Sequence, residues 1–197
     1  MVNIDIFSPH VMPFVIGCPD SMMRMGVLEA AIELCEKSGV WAADLPLASV
    51  DGQLFTPELP TGARILLVKD VMRNATCVLP ESAYQVAGDW TTISFREAHV
   101  AAHAGAFKVK ASLVPTRMTA TGQPASELPD VLVDRYLQGI AAGAKRYLLA
   151  LPGQSWSNPT LAAYFEQQFN QACGTAAIEA QHGRAANSPR VLPRRFG

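Results

Sequence analysis

Apolar residues recur at spacings of three and four in three stretches of the chain, and the long stretch between the first two has no helical period. The first predicts a helix over 21–37. Met22, Met25, Leu28, Ile32 and Cys35 form one apolar stripe, with Glu29, Glu33 and Glu36 mostly off it. Pro19, Asp20 and Ser21 supply a start signal that places an acid at the positive end of the helix dipole. Gly39 is a stop, because glycine accepts the left-handed backbone that closes a helix.

A second helix begins near Pro129, a good first-turn residue, with Leu132, Tyr136, Ile140, Ala144, Tyr147 and Leu151 on its apolar face. Pro152-Gly153 stops it. Asn158-Pro159 starts a third, with Asn as cap and Pro at the first position. Leu161, Phe165, Phe169 and Ala172 share one face, and the pattern weakens near Gly174 and ends before Gly183. On the second helix Gly139 and Gly143 lie one turn apart among alanines, Ala144 included. Each glycine costs a helix about 1 kcal/mol against alanine. A pair of them therefore argues for close approach of another backbone, either inside one subunit or between subunits.

From 40 to 124 the helical period disappears. Pro46, Pro57, Pro60, Pro80 and Pro115 punctuate β-rich runs at 53–56, 64–72, 76–79, 91–95 and 106–114. Arg73-Asn74 reads as a hairpin turn and 80–84 as a helical turn. A polar connector follows at 119–129. The predicted fold is α+β: mainly a helical bundle (about 1–45 and 125–184) with a small inserted antiparallel β subdomain (about 46–124), in one domain. An extended C-terminal arm covers 185–197. Pro189 and Pro193 exclude a regular helix there. The arm carries Val191, Leu192 and Phe196, and the charges after Gln181 are Arg184, Arg190, Arg194 and Arg195, with no acid among them. Fully extended, about a dozen residues reach ~40 Å. Such a segment is expected to order on a partner, by strand addition or by anchoring its apolar side chains.

Composition sharpens this picture. A chain of 197 residues can bury a real core, and 49% hydrophobic with only 17% charged residues fits either a large core or a surface completed by partners. A net charge of −1 argues against binding polyelectrolytes over the whole surface. Cys18, Cys35, Cys77 and Cys173 form no C-x-x-C pair and read as reduced, mostly buried thiols of a cytosolic chain. The first 19 residues are apolar but carry Asp5 and no basic n-region, a poor signal peptide. No apolar run approaches the ~20 residues that span a bilayer.

Candidate chemistry is thin. His99 and His103 have i, i+4 spacing but lack the glutamate of a metallohydrolase helix and lie in strand or loop sequence. Ser155, in Gly153-Gln-Ser155-Trp-Ser157, follows a helix where a nucleophile elbow needs a strand. Glu29, Glu33 and Glu36 read as a solvated face, with Glu33 able to pair with Lys37. Asn74-Ala-Thr76 matches a glycosylation sequon without other signs of secretion. Trp41, Trp90 and Trp156 sit at element junctions as packing anchors. No catalytic residue, metal ligand or cofactor is expected.

Two motif stretches remain. Near the start, Phe7, Pro9, Val11 and Pro13 form F-x-P-x-V-x-P, followed by Gly17-Cys18-Pro19 and the helix to Trp41. Near the end come Leu151-Pro152-Gly153-x-x-Trp156-Ser157-x-Pro159, the helix with Tyr164 and Phe165, and Pro193-Arg194-Arg195-Phe196. With its element order, the chain resembles the head-to-tail adaptor (connector) proteins of tailed bacteriophages; the β-rich middle carries little of the resemblance. The resemblance implies a ring of twelve subunits in the virion neck, assembled in the bacterial cytoplasm. It implies a portal protein above, a tail tube or nozzle protein below, double-stranded DNA passing through the channel, and no membrane. Carried onto this chain, the portal-binding residues are Arg190, Val191, Leu192, Arg194, Arg195 and Phe196. Other readings are a tail-completion or tail-tube ring protein, a nucleic-acid-binding protein using the arginine tail, and an enzyme with an unfamiliar site in the β region.

Overall fold

Pro19 sits in extended backbone and accepts hydrogen bonds from the Met22 and Met23 amides, opening helix α2 (Asp20–Ser38). Gly39, at φ +61°, closes it, its amide bonding to the Cys35 carbonyl at 2.8 Å. The computed structural model describes residues 1–51, 54–73, 77–87, 92–96, 107–119 and 121–182, without the side chains of Val50, Asp51, Cys77, Glu81 and His182. Within those residues α2 is the central helix. It packs on α3 (Asp130–Leu149) and α4 (Pro159–His182) on one side and on strand β8 (Phe107–Pro115) on the other. Burial on two sides explains why the single predicted stripe is only partly right. Leu28, Ile32 and Cys35 are buried, but Met25 is exposed and Met23, Val27, Ala31 and Leu34 are buried instead.

The β part is much larger than a small insertion. Strands β2 (Ala42–Asp51), β3 (Leu54–Pro57), β4 (Ala63–Arg73), β5 (Cys77–Val78), β6 (Tyr84–Val86), β7 (Ile93–Phe95) and β8 form one sheet. Their order is β5-β4-β8-β2-β3-β7-β6, with every pairing antiparallel. The expectation of a mainly helical bundle is therefore overturned: the chain is an α+β fold in which, among the described residues, a curled antiparallel sheet stands beside four helices.

The helical body ends at Ser38, and β2 occupies the stretch assigned to bundle and insertion boundary. Pro46 obscured it. A proline has no amide for a ladder, and it is tolerated where pairing breaks. Pro46 sits at such a point: Ala42–Pro46 pair with β8, and Leu47–Asp51 pair with β3 on the other edge. One strand thus joins two half-sheets, and the sheet curls there.

An aromatic cluster bridges the two half-sheets, with Phe55 on β3, Phe95 on β7 and Phe107 on β8. Phe55 meets the edges of Phe95 and Phe107 at centroid distances of 5.1 and 5.5 Å, and Phe95 stacks on Phe107 at 4.6 Å. Such pairs add about 0.5–1.5 kcal/mol each beyond the area they bury. The buried side chains form one continuous core from this cluster through β8 to the three helices.

The end of the predicted connector is a strand. Strand β1 (Val2–Asn3) pairs with β9 (Glu127–Leu128), fastening the start of the chain beside the entry to α3. Asn158 caps α4 as its position predicts, its side chain accepting from the Leu161 amide at 3.0 Å. The helix runs through Gly174 to His182 without a break.

Candidate functional site

The two motif stretches named above lie far apart in sequence and meet in space. In the first, Pro9 and Pro13 take early positions in two short turns, helix α1 (Ser8–Val11) and the 3-10 turn Met12–Phe14. Those turns bury Phe7, Val11 and Val15 and leave Phe14 at the surface. Gly17, at φ +88°, then reverses the chain beside the turn between α3 and α4; a Cβ on it would stand 3.7 Å from Ser155 Oγ. In the second stretch, the first turns of α4 bring up Tyr164 and Phe165. The Phe14 and Phe165 rings meet edge-on at 5.2 Å, and Tyr164 meets Phe165 edge-on at 5.3 Å.

Lys145 lies beneath these rings. It is only 7% exposed, with its ammonium 4.1 Å from the Phe165 centroid and 4.5 Å from that of Phe14. Burial pulls its pKa down from the ordinary lysine value. Among the described residues no carboxylate or carbonyl bonds to it. Two ring faces offer a cation about 0.5–2 kcal/mol of attraction. Phe14, whose ring covers the cation, is 46% exposed, Tyr164 beside Phe165 is 54% exposed, and Ile16, two residues on from Phe14, is 81% exposed. In the adjoining turn the Trp156 indole N–H is buried without an acceptor. An unpaired cation under an apolar rim is suited to a partner that brings a carboxylate and an apolar side chain together.

The residues singled out from sequence have other fates. Gly143 and Ala144 are buried among the three helices, and Gly139 is half-buried against α4. A Cβ on Gly139 would stand 2.7 Å from the Ala172 Cβ; one on Gly143 would stand 2.7 Å from the Phe169 ring and 2.8 Å from the Ala30 Cβ. The close approach that the glycines permit is within this chain, between α3, α4 and α2. Arg190, Val191, Leu192, Arg194, Arg195 and Phe196 lie outside the described residues, as do His99, His103, Trp90 and the Asn74 sequon. Cys18, Cys35 and Cys173 are free and buried, and burial pushes the Cys35 thiol up to about 12. Ser155 is in a turn preceded by helix α3, as its sequence context indicates. Among the described residues no cluster of His, Cys, Asp and Glu could hold a metal ion, and no helix is long and apolar enough to cross a membrane.

The acids on α2 serve as ties between layers. Glu29 accepts two hydrogen bonds from Arg117, at 2.7 and 2.8 Å, and Glu36 pairs with Arg64 of β4 at 2.9 Å. Glu33 pairs with Lys37 at 2.7 Å, as its spacing predicts, and with Arg146 of α3. Burial works against ionisation of Glu33, but hydrogen bonds from Lys37 and Arg146 outweigh it and hold its carboxyl below the ordinary value. A depressed folded-state pKa stabilises the fold above the unfolded-state value and loses that effect as pH falls through the folded-state value. Glu33→Gln is therefore expected to cost about 1 kcal/mol at neutral pH. The gap from wild type should close in acid, as pH falls through the lowered folded-state value. Urea unfolding of both proteins across that range checks this, and a gap that does not change with pH would overturn it.

A second, part-buried contact joins α3 to α4. Tyr136 donates a hydrogen bond to Glu179 of α4, and Arg135 lies 3.7 Å from the same carboxylate. Burial, with that bond, pushes the phenol up to about 12, so it stays protonated at neutral pH.

Lys145 carried a signal in the sequence. It interrupts an apolar stretch on the face shared by Ala141 and Leu148, where a lysine needs a reason to be. Ile16 and Tyr164 gave none on their own. A scan against protein-family models finds no match to this chain, and a search of the curated proteins finds none either.

Proposed function

We propose that this chain is a structural ring subunit of a tailed bacteriophage, an adaptor that joins the portal to the tail around a channel for DNA. The observation that carries this is the meeting of the two motif stretches on which the resemblance rests. Residues 7–19 and 151–165 belong to one surface, with Phe14, Ile16 and Tyr164 exposed on it. Exposed apolar side chains clustered around an unpaired cation are what a partner would cover. Glu29, Glu33 and Glu36 of α2 are held in ion pairs, and Ser155 sits in a turn that follows a helix. The chain then acts as a joint: many identical arms make modest contacts with the portal that add by avidity.

Native mass spectrometry of the protein alone and mixed with its cognate portal ring tests this. The expected result is a portal complex carrying one ring of added subunits, twelve if the resemblance holds in full. A folded protein that ignores the portal and binds tail components instead would move the chain to the tail side of the neck.

A further inference from the structure

We infer that a neighbouring copy of this chain docks its Glu58-Leu59 loop on the Lys145 surface, the carboxylate meeting the ammonium and the leucine lying among Phe14, Ile16 and Tyr164. The inference rests on the ring reading and supplies the contact between subunits that a ring requires.

The starting point is the uncompensated charge. A cation taken mostly out of water is costly unless something pairs with it. Lys145 has two aromatic faces but no anion among the described residues. Phe14 and Tyr164 at this place are apolar and exposed, and Ile16, two residues on from Phe14 along the chain, is the most exposed large apolar residue of that stretch. The complement is a carboxylate beside a large apolar side chain, presented on a projecting segment.

Among the described residues Glu58 meets that description. It is exposed and makes no side-chain hydrogen bond or ion pair, and its neighbour Leu59 is a large exposed apolar residue. The similar pairs do not compete. Asp5 beside Ile6 is held by Arg24, and Glu179 beside Ile178 is held by Tyr136 and Arg135. The loop joins β3 to β4, has Pro57 and Pro60 on either side, and is fixed by a 3.0 Å bond from the Glu58 amide to the Pro46 carbonyl. A segment stiffened in this way loses little conformational freedom on docking. Loop and surface are different parts of one chain, so in a ring each copy uses its loop on one neighbour and its surface on the other, a head-to-tail contact. Repeated, it closes into a ring or runs on as a filament.

Sedimentation velocity of the full chain tests the contact with four proteins: wild type, Glu58→Lys, Ile16→Asp and Lys145→Glu. Glu58 and Ile16 are surface residues, so those two variants should fold, which circular dichroism confirms. Each is expected to raise the concentration needed for assembly by about tenfold or more. Lys145→Glu alone should also fail to assemble. Mixed with Glu58→Lys it should regain assembly. The two substituted side chains, of opposite charge, then face each other at one junction, and the unsubstituted Glu58 and Lys145 face each other at the next. If wild type assembles only on the portal, ring occupancy on the portal is compared instead. Folded Glu58→Lys and Ile16→Asp proteins that assemble like wild type would overturn this contact and leave the ring reading standing. A wild-type chain that stays monomeric both alone and with the portal would overturn both.

Discussion

Gly143→Ala is expected to destabilise the fold by about 3 kcal/mol, close to the upper end of what overpacking a core with one methyl costs. The added Cβ would come within 2.7 Å of two ring carbons of Phe169 and within 2.8 Å of the Ala30 Cβ. These atoms belong to α4 and α2, so no single helix can move aside. The Phe169 ring is fully buried and lies under the Arg146 guanidinium, 5.0 Å from its centroid, which leaves it little freedom to turn. Gly139→Ala meets one neighbour, the Ala172 Cβ at 2.7 Å, and should cost less because α4 alone has to yield. Gly174→Ala is the control. It is also inside a helix, but nothing stands within 4 Å of its new Cβ, so the helix should gain about 0.5–1 kcal/mol. Urea unfolding of the three variants reads the order directly. A Gly143→Ala protein within about 0.5 kcal/mol of wild type would mean that the three-helix interface is loosely fitted.

The helices were legible because their ends carry local signals. Pro19, Gly39, Asn158 and Pro159 act through backbone geometry that depends on a few neighbouring residues, and each stands where its chemistry places it. Gly174 misled slightly. Its cost to the helix is small beside the burial of Phe169, Cys173 and Ala176 around it. The sheet was less legible because its order is set by pairings between distant residues. Nothing local states that 42–46 lies against 108–112 while 47–51 lies against 54–57. Pro46 read as a break in the chain, when it marks a change of partner within one strand.

The candidate surface was half legible. Its motif stretches stand out in the sequence, but their meeting does not, since it depends on α3 and α4 returning the second stretch to the first. Lys145 could be noticed as a lysine among apolar residues. That it lies between Phe14 and Phe165 follows only from the tertiary arrangement. The glycine pair shows the opposite limit. Spacing alone left packing inside or between subunits open, and the Ala30, Phe169 and Ala172 contacts place it inside.

Removing 185–197 is expected to leave the fold intact and to abolish portal binding. The segment lies outside the described residues, and its role follows from its residue types. Pro189 and Pro193 withhold two amides, while Val191, Leu192 and Phe196 give it apolar anchors it cannot bury on itself. Arg190, Arg194 and Arg195 add cations without an acid between them, so the portal surface that receives the arm should be acidic and the complex weakened by salt. Each arm alone would bind weakly, but subunits joined in a ring present many arms at once, and the losses from a change in every arm multiply. Arg194→Ala with Arg195→Ala should therefore reduce portal binding steeply rather than proportionately. The core should not respond, because the described helices and sheet close around one set of buried side chains without this segment. Thermal unfolding of the truncated chain reads the first half of the prediction and portal titration the second. Self-assembly gives a separate check: the Glu58 and Lys145 contact does not use the arm, so the truncated chain should still assemble as wild type does. Unchanged portal affinity after truncation would exclude the arm as the portal-binding element and direct the search to the folded body.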